Sequence, residues 1–306
     1  MIGGSTAART GRTAGLWRTL LDLAAYGLAV GAISALGGVL LRALLGTAEA
    51  RPEWQRMLAT GGIILLSVAI VHAFMNWTGR TANIRSGWLR GLENVRGLTA
   101  GALAGLAMIA GCYGTLLASG IGRLVPAPGG PIDYLRMLIP VVVSFGLLAA
   151  AEEVLFRGYP LTKLALLTGP TWANVILSVL FAMAHMGSAG TTPLVMANVF
   201  LGSLTVGFLR FSRFGIPAAI GFHAAWNLAQ LLLGGTISGM TSPMPAMRLV
   251  TEGPSLLTGA GFGPEGSLWA TLATLAMLGL IKHRAEWLGL RVCLPTPAAL
   301  RGRAGK

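Results

Sequence analysis

Charge is scarce in this chain. Asp, Glu, Lys and Arg make up 11% of its 306 residues, and only 10 residues are acidic. A soluble domain carries about 25% charged residues, and the mean hydropathy here is +0.70. The scarcity excludes an ordinary globular protein and points to a polytopic membrane protein. Cysteine is nearly absent too: Cys112 lies in an apolar run and Cys293 in a basic tail, so neither a disulfide nor a thiolate metal site is expected. Lysine is rare, and arginine supplies most of the net charge of +13. A nucleic-acid binder would gather that charge on one soluble patch, whereas these arginines are scattered between apolar segments. No internal repeat is visible, nor the inverted repeat of a secondary transporter.

What is abundant is apolar sequence and glycine. Apolar residues make up 54% of the chain, and 44 glycines fit close helix packing in lipid, where small residues let backbones approach. The apolar runs predict an all-α polytopic bundle of about eight spans, near 20–41, 57–77, 98–119, 136–157, 172–187, 194–210, 216–234 and 267–281. A span needs about 20 residues. The fifth and eighth are short, and the fifth is open to tilting, lengthening or partial re-entry. Arg9, Arg12 and Arg18 precede the first run, the order of a secretory signal. The run is long and lacks a convincing cleavage site, so it is read as a span that stays. Alternation of eight spans places 17 of the 23 Lys and Arg on one side and six on the other. The positive-inside rule then puts both termini in the cytoplasm.

Four regions follow from this reading: 1–135 with three spans, 136–234 with four, a loop over 235–266, and 267–306 with the last span and a basic tail. The loop is rich in glycine and proline and reads as a spacer or as a flexible lid on the outer side.

Polar residues inside the spans carry the chemistry. Charge within a membrane segment is costly, and it is retained where it faces a protein interior or a cavity. Glu152 and Glu153 are adjacent, and Arg157 is four residues beyond Glu153, on the same helical face. Glu153 and Arg157 can therefore pair. Glu152 points about 100° away without that partner, as a general base would, although a purely structural ion pair explains the same residues. Phe181 and His185 lie one turn apart on the next apolar segment. An imidazole there is either a packing residue or a group that holds and orients water. His223 and Asn227 share a face at i and i+4, either as an interhelical polar clamp or as two donors for a developing oxyanion. His72 has no evident partner in its span and reads as a packing residue.

In order, the three elements are E-E-x-x-x-R, F-x-x-x-H and H-x-x-x-N. Over residues 136–234 this pattern resembles the CPBP family of intramembrane endopeptidases, the CAAX-protease and bacteriocin-processing (Abi) family that includes Rce1. The resemblance implies a catalytic Glu152, a His185 that helps activate water, an oxyanion pair in His223 and Asn227, and supporting roles for Glu153 and Arg157, with Phe181 beside them. It implies hydrolysis of a peptide bond in a membrane-anchored protein or peptide, near its C-terminus or in a leader or sorting tail, with no cofactor. Zinc held by one glutamate and two histidines is the alternative chemistry, disfavoured because H-E-x-x-H is absent and the histidines come from separate segments. Two other functions compete: a non-catalytic immunity or regulatory protein on the same scaffold, and a proton-coupled transporter. The Ala- and Arg-rich usage suggests a bacterial plasma membrane. The span limits set Glu152 toward the cytoplasmic end of the fourth span and His185 toward the outer end of the fifth. The mechanism therefore needs a longer fourth span or a tilted or shifted fifth.

Overall fold

The computed structural model describes residues 4–46, 51–78, 87–244, 246–285 and 288–290. These fold as a helical bundle with one small ribbon: α1 (Gly4–Leu45), α2 (Glu53–Trp77), α3 (Leu92–Ala118), β1 (Gly122–Pro126), α4 (Pro131–Arg157), α5 (Tyr159–Thr168), α6 (Pro170–Ala184), α7 (Pro193–Phe211), α8 (Gly215–Leu232), β2 (Met247–Thr251), α9 (Ser255–Thr258) and α10 (Leu268–His283). The all-α class holds, and this is an integral membrane protein. Among the described residues, five helical stretches are long and apolar enough to cross a bilayer: Gly15–Leu44, Glu53–Trp77, Leu92–Ala118, Pro131–Thr168 and Pro193–Phe211. The eight expected spans fall on α1–α4, α6–α8 and α10. Of these, α6 and α10 are shorter apolar helices, and α8 has 18 residues. Large apolar side chains such as Leu28, Leu44 and Trp77 point outward, as lipid contact requires. The basic tail beyond residue 290 and the arginines at 80 and 85, used above to orient the chain, lie outside the described residues.

The bundle differs from the expected spans in three places. Helix α1 begins at Gly4 rather than near residue 20, because the Ala- and Arg-containing leader is itself helix-forming. The stretch after Arg157, expected as a loop around Lys163, is helix α5. Pro160 stands in its first turn, where its missing N–H costs nothing. Leu161, Leu164 and Ala165 are buried along α5, while Lys163 pairs with Asp22 at 3.0 Å. One lysine thus disguised an amphipathic helix. Helix α6 ends at Ala184, and His185 is its C-terminal capping residue.

Glycine explains how the helices carrying the site are held. Gly97, Gly101 and Gly105 recur every fourth residue along α3 and face α8. A Cβ on Gly101 would collide with the Ala218 carbonyl, and one on Gly105 with the Phe222 carbonyl. From α8, Gly221 approaches the Leu98 carbonyl in the same way. Backbone contact of this kind is the small-residue packing expected in lipid, and it fixes the helix that bears His223 and Asn227. On the other flank, a Cβ on Gly61 of α2 would lie 2.9 Å from the Leu148 nitrogen of α4. The N-terminal helices therefore clamp α4 and α8, two of the three helices that carry the polar motifs.

Two connections meet on one side of the bundle. Strand β1 pairs antiparallel with β2, from Gly122↔Thr251 to Pro126↔Met247, and Arg123 pairs with Glu252 at 2.6 Å across it. The segment 235–266 is thus folded: Gly239 N donates to the Phe262 carbonyl at 2.9 Å. The Asn198 amide of α7 donates to the carbonyls of Glu265 and Ser267, at 2.9 and 2.8 Å.

Candidate active site

Helices α4, α6, α7, α8 and α10, with segment 235–266, enclose a cavity of about 630 Å³ including its open mouth. Six of the seven residues singled out in the sequence line it: Glu153, Arg157, Phe181, His185, His223 and Asn227. Glu152 stands outside that lining, with its Oε2 3.8 Å from His223 Nε2 and its side chain 22% exposed.

Between the first and second motifs the chain runs through α5. Its 10 residues carry the chain about 15 Å past Arg157, and α6 then returns about the same distance before reaching Phe181. The Phe181 ring consequently packs edge-on against Phe156, with centroids 5.1 Å apart, and lies 6.1 Å from the His223 ring. The guanidinium of Arg157 sits over Phe181 at 4.5 Å, an orientation in which a cation is attracted to the ring face.

Glu153 is the hub. It is fully buried, and its Oε1 accepts from Arg157 Nη1 at 3.1 Å and from His223 Nδ1 at 2.8 Å. Arg157 is buried as well and donates through Nη2 to the Oγ and carbonyl of Ser203, at 2.6 and 3.2 Å. Its own carbonyl, freed where α4 ends, accepts from Arg210 Nε at 3.0 Å, and Arg210 Nη2 reaches Thr162 Oγ1 at 3.1 Å. Buried charges are tolerated when paired and fully hydrogen-bonded, and this chain of contacts meets most of that requirement. One atom stands apart: Glu153 Oε2 is buried without a partner among the described residues.

These bonds set the histidine chemistry. His185 Nδ1 lies 2.9 Å from the Phe181 carbonyl, and a carbonyl can only accept, so Nδ1 carries the proton. The Nε2 of a neutral His185 is then a lone pair. His223 donates through Nδ1 to Glu153, which leaves its Nε2 toward Glu152. Among the described residues, no three His, Cys, Asp or Glu side chains form a group arranged to hold a metal ion.

Several residues of the site were not anticipated. Arg210, counted above as a topology charge, is buried behind Arg157. Ser203, Asn198 and Trp226 line the cavity, as does Glu265 from the segment read as a spacer. For Glu265 a signal existed: it is one of few acids in the chain, set in a glycine- and proline-rich run. His72 packs in the core, stacked on Tyr26 with ring centroids 5.8 Å apart.

The helical bundle thus gathers a carboxylate, a guanidinium, two histidines and an amide around one cavity, with a second carboxylate beside it. Residues 134–229 match the family model Rce1-like, described as type II CAAX prenyl endopeptidase Rce1-like. That segment is similar to the Rce1-like family, whose members are peptidases of the CAAX-protease kind. The match spans α4 from Tyr134 through most of α8, and so covers all three polar motifs. No curated protein matches the chain.

Proposed function

We propose that the protein hydrolyses a peptide bond in a membrane-anchored protein or peptide, near its C-terminus or in a leader or sorting tail, with Glu152 as the base. The observation that carries this reading is the division of labour between the adjacent carboxylates. Glu153 is engaged by Arg157 and His223 and closed off from solvent, whereas Glu152 is accessible beside His223 Nε2. Water held between Glu152 and the Nε2 lone pair of His185 gives a proton to Glu152 and adds to the scissile carbonyl carbon. The oxyanion is met by the Asn227 amide and by His223, which in its imidazolium form presents an N–H at Nε2. Glu152 then returns the proton to the leaving amine as the C–N bond breaks, yielding a carboxylic acid and an amine. The surrounding apolar helices strengthen each of these interactions by excluding water. No cofactor enters this scheme.

One observation favours a second assignment: the unpartnered Oε2 of Glu153 could take the proton instead. Purified protein in proteoliposomes, given a library of membrane-anchored peptides with and without a zinc chelator, tests the function itself. Cleavage that survives chelation is expected. Chelator-sensitive cleavage would replace the water–glutamate scheme with a zinc one. Failure to cleave any library member, together with a cellular phenotype indifferent to Glu152→Ala, would support a non-catalytic role.

A further inference from the structure

Segment 235–266 lies outside the family match, yet it places a carboxylate in the cavity wall. Glu265 Oε2 accepts from Trp226 Nε1 at 3.0 Å and from Gln230 Nε2 at 3.5 Å. Its Oε1 accepts from the Ser238 hydroxyl at 2.8 Å and from the Ser238 backbone N–H. Ser238 makes both bonds from a left-handed backbone, φ +47°, a conformation that non-glycine residues adopt rarely and at a cost. All four donors are neutral. Among the described residues, no Lys, Arg or His lies within ion-pair distance of Glu265. Its charge is solvated by dipoles but not cancelled.

The rest of the lining does not cancel it either. Arg157 is matched by Glu153, His185 adds no charge when neutral, and an imidazolium at His223 is matched by Glu152 at 3.8 Å. The cavity wall therefore carries one net negative charge, close to the groups that would meet the scissile carbonyl. Trp226 is three residues from His223 on α8, about 4.5 Å along the axis. An extended peptide advances about 3.3 Å per residue, so a substrate whose carbonyl faces His223 and Asn227 brings a side chain to Glu265 within two residues of the cleaved bond.

We propose that Glu265 is a specificity residue that selects substrates bearing a Lys or Arg side chain within two residues of the scissile bond and disfavours acidic ones. The inference rests on the peptidase reading of the site. Like charges brought together across an interface suppress the wrong partner, and opposite charges favour the right one. The four donors that hold Glu265 keep the carboxylate fixed for that task.

The test uses membrane-anchored peptides in nanodiscs that differ only in Lys, Gln or Glu at each of the two residues on either side of the cleaved bond. Equilibrium binding by fluorescence anisotropy and kcat/KM are both measured for the wild type, Glu265→Gln and Trp226→Phe. The wild type is expected to favour the Lys over the Glu peptide by about tenfold or more at one position. Glu265→Gln should bring that ratio to about one. Trp226→Phe removes a donor but leaves the charge, so the ratio should persist; a purely structural role would make the two variants behave alike. Equal wild-type binding of the Lys and Glu peptides overturns the proposal whatever the variants do, including a Glu265→Gln that fails to fold. So does a preference that survives in Glu265→Gln. Charge-selective binding without any cleavage would leave Glu265 in its role and refute the peptidase reading; cleavage without charge selectivity would do the reverse.

Discussion

Replacing Glu153 by leucine isolates the hub of the site. The Glu153 and Arg157 side chains are 1% and 3% exposed, so the change strands a guanidinium in a dry interior. Removing one partner of a buried ion pair costs about 3–5 kcal/mol, far more than the pair contributes over an apolar replacement. At about 2–4 °C per kcal/mol, the midpoint of thermal unfolding should fall by about 6–20 °C. The double variant Glu153→Leu/Arg157→Leu removes the stranded charge. It still leaves His223 Nδ1 without its acceptor and the Ser203 hydroxyl without its donor, so it should remain below the wild type. It should nonetheless recover at least about 1 kcal/mol relative to Glu153→Leu, a coupling of the size expected for residues in one network. Intrinsic tryptophan fluorescence in nanodiscs, followed through thermal unfolding, measures both changes. Proteolytic activity should return in neither variant, because His223 loses the group that orients it. A Glu153→Leu midpoint within about 2 °C of the wild type, or a double variant less stable than the single one, would refute the reasoning.

Gly101→Ala should destabilise by about 1–3 kcal/mol, because its methyl group collides with backbone rather than with a flexible side chain; chemical or thermal unfolding in detergent checks it. Ser203→Ala deletes the 2.6 Å hydrogen bond from Arg157 and should cost about 1.5–3 kcal/mol, with the Ser203 carbonyl still in place. Asn227→Ala should lower kcat by about 10²- to 10³-fold with little change in unfolding midpoint, the pattern of a lost oxyanion donor; steady-state cleavage of a membrane-anchored peptide separates kcat from KM.

The polar motifs were legible because membrane sequence exposes them. Against an apolar background Glu153 and Arg157 at i,i+4 predict their ion pair, and His223 and Asn227 at i,i+4 predict a shared lining. The bundle class followed from the same contrast. What escaped has physical causes. Helix α5 was hidden because Lys163 reads as a loop charge, and only its contact with Asp22 on α1 reveals a buried apolar face. Arg210 reads as one more basic residue at a span end, since nothing local says that the Arg157 carbonyl awaits it. The glycine ladder of α3 was present at fourfold spacing, but its partner, the backbone of α8, lies more than a hundred residues away. Glu265 depends on the folding of segment 235–266 onto Trp226, Gln230 and Ser238, a long-range arrangement that composition rich in glycine and proline conceals.

The central claim is that Glu152, and not its better-connected neighbour, activates the water. The direct measurement is cleavage of one membrane-anchored substrate in proteoliposomes by wild type and by Glu152→Gln, with unfolding midpoints recorded for both. A partly exposed side chain with no hydrogen bond to lose among the described residues should leave the midpoint nearly unchanged, while kcat falls by at least about 10²- to 10⁴-fold, the contribution of a general base. A folded Glu152→Gln that cleaves at the wild-type rate would contradict the account and move the proton to Glu153.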